Sequence, residues 1–257
     1  MSVAVDASGN VYVSGNLWGV AKFGSTTLTS RGQSDAFVAK LDSAGNFQWA
    51  QRWGQENLDF GGGVSVDPDG NVLTAGFATE NAPGGDYWFD GVEIYKFSPS
   101  GAVLWKKSLP HFRRTASRLA TDRLGNVFVA GAFFGKADFD PDPSQAHEVV
   151  GGVGSGYLLK LNSAGDFVWV APLAAPKMAT SADVYTTDLQ CDAEGNISWG
   201  GLYRGQIDFN PAEQIEHRLP DTDQYMGFTA KFSPAGSLLW VNSLGLKAPP
   251  SADLPAE

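Results

Sequence analysis

The pattern D-x-x-G-N occurs four times, at Asp6–Asn10, Asp67–Asn71, Asp122–Asn126 and Asp192–Asn196. Five residues after each Asn comes a glycine: Gly15, Gly76, Gly131 and Gly201. A second pattern follows each first one: KLDSAG from Lys40, KFSPSG from Lys96, KLNSAG from Lys160 and KFSPAG from Lys231. Nine residues after each of these lysines stands a tryptophan: Trp49, Trp105, Trp169 and Trp240. The spacings are fixed in all four copies, and the variable lengths fall between the patterns. Such a chain is a repeat protein, and each repeat must be one supersecondary unit that buries its apolar face against its neighbours.

The flanks of the turns name the unit. SVAV and VYVSG around the first turn, and FVAKL and FQWAQ around the second, alternate β-branched or aromatic residues with small or polar ones. That alternation reads as half-buried strands. The aspartate caps a type I turn with its side chain, and the glycine takes the left-handed position that closes the hairpin with a bulge. Each repeat is therefore four antiparallel strands: A, turn, B, a long connection, C, turn, D. The 31 glycines and the 12% aromatic content suit an all-β chain of many tight turns.

Four-stranded units of this length with a Trp near the end describe propeller blades. The stretches VAVDASGNVYVSG and DAFVAKLDSAGNFQW closely resemble the SBBP family of bacterial β-propeller repeats. The first half also resembles the NHL repeat, and the DFDP element looks like a variant of SBBP-like propellers. The resemblance covers residues 2–246. It implies an all-β fold, a β-propeller of four four-stranded antiparallel blades at 1–54, 62–109, 117–173 and 186–246. It implies little about activity. Residues 247–257 form a Pro/Ala-rich tail, read as a linker or disordered end. Three assemblies stay open: a closed four-blade ring, an eight-blade ring made by a homodimer, or part of a longer propeller with further blades.

A formal net charge of −10 repels phosphate backbones, so no nucleic acid partner is expected. No apolar run reaches the roughly 20 residues of a membrane span. Cys191 is the single cysteine, which excludes an internal disulfide framework. The N-terminus has neither a basic n-region nor an apolar h-region. A cytoplasmic protein is expected, or an extracellular or cell-surface one if a leader lies upstream.

Antiparallel order places the short D-x-x-G turns at one end of the blades and the long B–C and D–A connections at the other. The B–C connections are expected near 16–34, 77–87, 132–156 and 202–226. Variable loops on a rigid scaffold are where binding residues gather, so the ligand face is expected at that end. Its candidate residues are Trp18, Trp53, Trp88, His111, Arg113, Arg114, Phe134, His147, Tyr203 and His217. Aromatic rings beside polar groups suit sugar rings or a protein interface. The arginines of HFRRT could hold a carboxylate or phosphate.

One loop is written twice. DFDPDPSQAH runs from Asp138 to His147, and DFNPAEQIEH from Asp208 to His217. As a hard-cation site, Asp138, Asp140, Asp142, Asp208 and Asn210 would supply oxygen ligands, with Ca2+ the expected ion. Against that, the loop lacks the glycine and the twelfth-position glutamate of an EF-hand, and the second copy loses a carboxylate at Ala212. The structural alternative has Phe139 and Phe209 pinning the loop to the blade while Asp138 and Asp208 cap backbone N–H groups.

No nucleophile-elbow, P-loop or zinc-protease motif is present. The expected function is a non-catalytic scaffold for protein–protein or glycan recognition through the long-loop face. The alternatives are a polysaccharide hydrolase or lyase with acids at the channel mouth, and a structural module of a larger surface or assembly protein.

Overall fold

The computed structural model describes residues 1–81, 87–110, 118–152, 154–173, 182–210 and 217–245; at 80–81, 87–90 and 110 the description is of the backbone. The described chain is all-β. Four antiparallel four-stranded sheets follow one another along the chain, as in a β-propeller. Blade 1 holds β1 (Ser2–Val5), β2 (Val11–Phe23), β3 (Thr26–Leu41) and β4 (Phe47–Trp53). Blade 2 holds β5 (Phe60–Val66), β6 (Val72–Asn81), β7 (Tyr87–Phe97) and β8 (Val103–Pro110). Blade 3 holds β9 (Arg118–Thr121), β10 (Val127–Phe133), β13 (Ser155–Leu161) and β14 (Phe167–Leu173). Between β10 and β13 it inserts a separate hairpin, β11 (Lys136–Asp138) with β12 (Glu148–Val150). Blade 4 holds β15 (Asp183–Cys191), β16 (Ile197–Arg204), β17 (Met226–Phe232) and β18 (Leu238–Leu244).

The turns are built alike because their side chains are. Asp6 Oδ1 accepts the backbone N–H of Ser8 and of Asn10, both at 2.9 Å, while its Oδ2 takes Asn10 Nδ2 at 2.8 Å. Asp67, Asp122 and Asp192 repeat the same three bonds. The turn glycine must close the hairpin in the left-handed region, and Gly9, Gly70, Gly125 and Gly195 do so at φ 79, 79, 76 and 82°. On the C–D side, the ladder shifts register directly after Lys40, Lys96, Lys160 and Lys231, the expected bulge in every blade.

Blades stack face to face. Val64, Leu119 and Leu189 stand at one repeat position, three residues before the turn aspartate, and are only 5, 5 and 2% exposed. Each presses against the preceding blade: Val64 in a cluster with Tyr12 and Trp53, Leu119 with Ile94 and Leu109, Leu189 with Phe128 and Leu158. The Trp of each of the first three D strands reaches forward. Trp49 Nε1 donates to Pro99 O at 3.0 Å, Trp105 Nε1 to Ser163 O at 3.2 Å and Trp169 Nε1 to Pro234 O at 3.2 Å. The lysine beside each one donates to the same carbonyl, at 3.3, 3.2 and 3.0 Å for Lys40, Lys96 and Lys160. The recurring Trp is thus a wedge between blades, and the lysine a strut.

The B–C connections correct the sequence reading. In blade 1 the stretch 16–34 is no loop, because β2 and β3 stay paired across most of it, from Asn16↔Ala36 to Phe23↔Thr26 with a bulge near Gly19. The arm folds back along its own blade: Phe23 packs on Phe37 at 5.0 Å between centroids, and Gly24 lies under the Phe47 ring that follows the C–D turn. The β11–β12 hairpin does the same in blade 3. Phe139 is fully buried against Phe133 and Tyr157, and His147 stacks on Phe167 at 3.9 Å. In blade 4 Phe209 packs on Phe228 at 5.0 Å. The physical reason is a shared Gly-x-x-x-Phe: Gly19, Gly135 and Gly205 turn the chain at φ 62, 66 and 75°, and the Phe four residues on has a hydrophobic cleft to fill.

Candidate functional site at the converging turns

One cavity lies at the end expected to be plain. Its volume is about 610 Å³, and the A–B turns of all four blades line it: Val5–Ser8, Val66–Gly70, Thr121–Arg123 and Cys191–Ala193. The innermost strands β1, β5, β9 and β15 bring these turns together, because each A strand ends in its D-x-x-G turn at the same height.

The lining is acidic. Asp6, Asp67, Asp69, Asp122 and Asp192 line it beside one arginine, Arg123, while Lys96 and Lys231 stand outside the lining. Burial pushes the Asp6 carboxyl upward, but bonds from Asn10, Tyr12 and Ser8 outweigh it and hold the group below the usual range. Asp67 is likewise drawn below it despite burial, by Lys96 and Asn71. Lys231 and then Asn196 hold Asp192 far below it. These groups are ionised at neutral pH, and their oxygens are engaged in their own turns. Lys96 and Lys231 pair with Asp67 and Asp192 at 2.9 and 2.8 Å. Cys191 also lines the cavity, but burial first, and then Asp122 and Asp192, push its thiol up to about 11, so it is no nucleophile at neutral pH. The arrangement is a rigid concave surface of fixed negative charge.

The ligand-face candidates do not assemble into one site. Trp53 is 4% exposed and stacks on Tyr95 at 5.2 Å in the junction of blades 1 and 2. Tyr203 is fully buried, with its hydroxyl on Pro220 O and Ser243 Oγ. Both are corrected from surface to core, since their strands continue past the expected loop boundary. Phe134 and His217 are half-buried, and His147 lies flat on Phe167. Trp18, 58% exposed, remains on the surface at the edge of Phe60. Trp88 lies on β7 with its side chain outside the description, and His111, Arg113 and Arg114 lie outside the described residues.

The repeated loop is held by its own aspartates. Asp138 Oδ1 accepts His147 N at 2.8 Å and Asp140 N at 3.0 Å; Asp208 Oδ1 accepts His217 N at 3.2 Å and Asn210 N at 3.0 Å. Asp140 and Asp142 each cap the residue two further on. Among the described residues no three His, Cys, Asp or Glu side chains are grouped to share a metal ion. Pro141, His147, Lys107 and Asp166 border a small cleft of about 310 Å³ beside this loop.

Sequence reasoning counted Asp59 among acids that could converge across blades but did not pair it with Asp35. Asp35 and Asp59 are fully buried on either side of Gly54, whose added Cβ would stand 2.7 Å from Asp59 Oδ2 and 2.9 Å from Asp35 Cγ. Arg52 Nη1 donates to Asp35 Oδ2 at 2.5 Å, and Gln55 N and Thr79 N donate to Asp59. Burial drives the Asp59 carboxyl up to about 6, the N–H bonds oppose it, and Asp35 and Glu93 add to the rise. Glu93 pairs with Lys106. Nothing in the spacing of 35, 59 and 93 signals this meeting, which is made by the packing of two blades.

No family model matches the chain. An uncharacterized WD repeat-containing protein of Acanthamoeba polyphaga mimivirus is 25% identical over 224 residues, which is 86% of this chain and 12% of that protein. A crystal structure of a protein of unknown function from Dyadobacter fermentans superposes over 97% of this chain and 69% of its own, with a TM-score of 0.53 at 12% identity. A Bacteroides caccae protein of unknown function aligns over 94% of this chain with a TM-score of 0.38. The chain has a β-propeller-like repeat fold. It spans about an eighth of the mimiviral protein's length.

Proposed function

We propose that this chain is a non-catalytic β-propeller scaffold, built from repeats of the SBBP type, that recognises a protein partner. A basic segment of that partner seats over the cavity where the A–B turns converge. The observation that carries this reading is the cavity itself: about 610 Å³, concave, and lined by five aspartates against one arginine. A large concave surface on a rigid scaffold is where a ligand is best held, and a one-signed field there selects its opposite. Four of the carboxylates, those of Asp6, Asp67, Asp122 and Asp192, are locked in turns, so the site can attract and orient but holds no free acid–base pair among its described residues. A hydrolase or lyase would need exposed carboxylates facing each other, whereas Asp35 and Asp59 are shut off from solvent.

A second reading keeps a glycan at the opposite end, because Trp18 offers an indole face 58% exposed. The test for the first is titration with a lysine-rich peptide. Asp69 lines the mouth and has no described hydrogen bond through its carboxylate, so Asp69→Lys changes charge without dismantling a turn. Affinity is expected to fall at least tenfold in the variant and to weaken steeply with added salt. No binding by the wild type, or equal binding by the variant, overturns the reading. A soluble oligosaccharide that binds the wild type but not Trp18→Ala supports the second.

A further inference from the structure

The connection from β4 of blade 1 to β5 of blade 2 is anchored by an acid. In segment 54–59 the only buried residue is Asp59; Gln55 and Glu56 are exposed, and Gly54, Asn57 and Leu58 are half-buried. The rest of the segment's hold is polar. Asp59 N donates to Ser34 O at 2.8 Å, Ser34 Oγ to Asp59 O at 2.7 Å and Leu58 N to Thr79 Oγ1 at 3.0 Å. A segment held by hydrogen bonds, without a buried apolar side chain, is of the kind that opens locally.

The groups facing the Asp59 carboxyl leave it without a counter-ion. Asp35, on β3, lies across Gly54 and takes Arg52 of β4. Glu93, on β7, takes Lys106 of β8 and the Tyr95 hydroxyl. Asp59 accepts only the backbone N–H groups of Gln55 and Thr79 among the described residues. A fully buried carboxyl in that position is stable when neutral and costly when charged. The repeat does not require it. Where the blade 1–2 junction has Asp35, Trp53 and Asp59, the blade 3–4 junction has Ser155, Leu173 and Val184 at the same strand positions, all buried. The first junction is also the less satisfied one, since Trp53 Nε1 is buried with no hydrogen-bond partner among the described residues.

We infer that segment 54–59 is a proton-operated latch on the blade 1–2 junction, closed while Asp59 is protonated and released when Asp59 ionises, which uncovers Asp35 beneath Gly54. Burial, opposed by the two N–H bonds and joined by Asp35 and Glu93, holds the Asp59 carboxyl up at about 6 against an ordinary 3.8. The closed segment therefore binds the extra proton between those values: the latch is strongest near pH 4, weakens up to about pH 6 and stays weak above it. It lies at the other end of the blades from the turn cavity and does not rest on the partner proposed there.

Carboxyl-carbon NMR and amide hydrogen exchange of the whole chain test it. The Asp59 carboxyl should titrate near pH 6. After correction for the intrinsic pH dependence of exchange, opening read at the Leu58 and Asp59 amides should rise about a hundredfold from pH 4 to pH 7. At pH 7 these amides should exchange faster than those of β10, the mark of a local opening. Asp59→Asn keeps the size and removes the charge, so its segment should stay closed at both pH values; the wild-type readouts stand even without it. A carboxyl that titrates near 4 overturns the inference. So does a titration near 6 with unchanged exchange, a segment that exchanges in step with β10, or the same rise in Asp59→Asn.

Discussion

Trp49 lies over Gly101: the indole of one blade covers the left-handed glycine in the C–D turn of the next, and its Nε1 donates to Pro99 O two residues earlier at 3.0 Å. This contact ties two repeats through a position that needs Gly twice, once for φ +86° and once for space. The same contact recurs where Trp169 covers Gly236, whereas Gly165 lies under the Lys107 side chain instead.

Gly101→Ala and Gly45→Ala separate those two needs. Both force a left-handed alanine, at a cost of about 1–2 kcal/mol. Only Gly101→Ala also drives a methyl into an indole. In urea denaturation of the single-chain species, Gly101→Ala is expected to lose at least about 1 kcal/mol more than Gly45→Ala. Equal losses would mean that the indole moves aside freely.

Trp105→Ala removes a half-buried wedge and its bond to Ser163 O. A loss of about 3 kcal/mol is expected, at the low end for a large core aromatic because one edge remains solvated. A loss near zero would contradict its place in the junction.

Phe209→Ala tests the fold-back of the repeated loop. The ring is 1% exposed and sits on Phe228, so truncation should cost about 3–5 kcal/mol. Asp208→Ala, which removes bonds to Asn210 N and His217 N, should cost about 1 kcal/mol. With the aspartates serving as caps, the melting temperature is expected to be the same in calcium and in chelator. A rise of several degrees with calcium would assign Asp138, Asp140 and Asp142 to an ion instead.

Asp59 sets a pH dependence with a definite sign. Its carboxyl is raised from 3.8 to about 6 in the folded chain, so between those values the folded state binds more protons than the unfolded one. Stability therefore falls as pH rises from about 4 to 6, by about 2–3 kcal/mol, and stays lowered above that window. Asp59→Asn should flatten the curve between pH 4 and 6. The carboxylates held below their usual range, Asp6, Asp67 and Asp192 among them, act oppositely and at lower pH. An unchanged slope in the variant would show that Asp59 is not the group responsible.

The strands, the turns and the repeat were legible in the residues because their causes are local. An aspartate that caps N–H groups two and four residues on, a glycine at positive φ and an alternating flank all act within a few positions, and four copies of one spacing leave little choice of unit. The repeated Phe139 and Phe209 were legible as pins for the same reason of copying. Tertiary structure decided the rest. Whether 16–34 hangs as a loop or folds back depends on a cleft beside Phe37 that Ala39, Phe47 and Ala50 of the same blade complete once its strands are paired. Trp53 and Tyr203 became core because neighbouring sheets and returning loops cover them. The meeting of Asp35 with Asp59, and the gathering of four acidic turns around one cavity, arise from the angle and order in which blades stack. That is a non-local quantity, fixed by packing between surfaces that no single repeat contains, and the sequence of one repeat carries no trace of it.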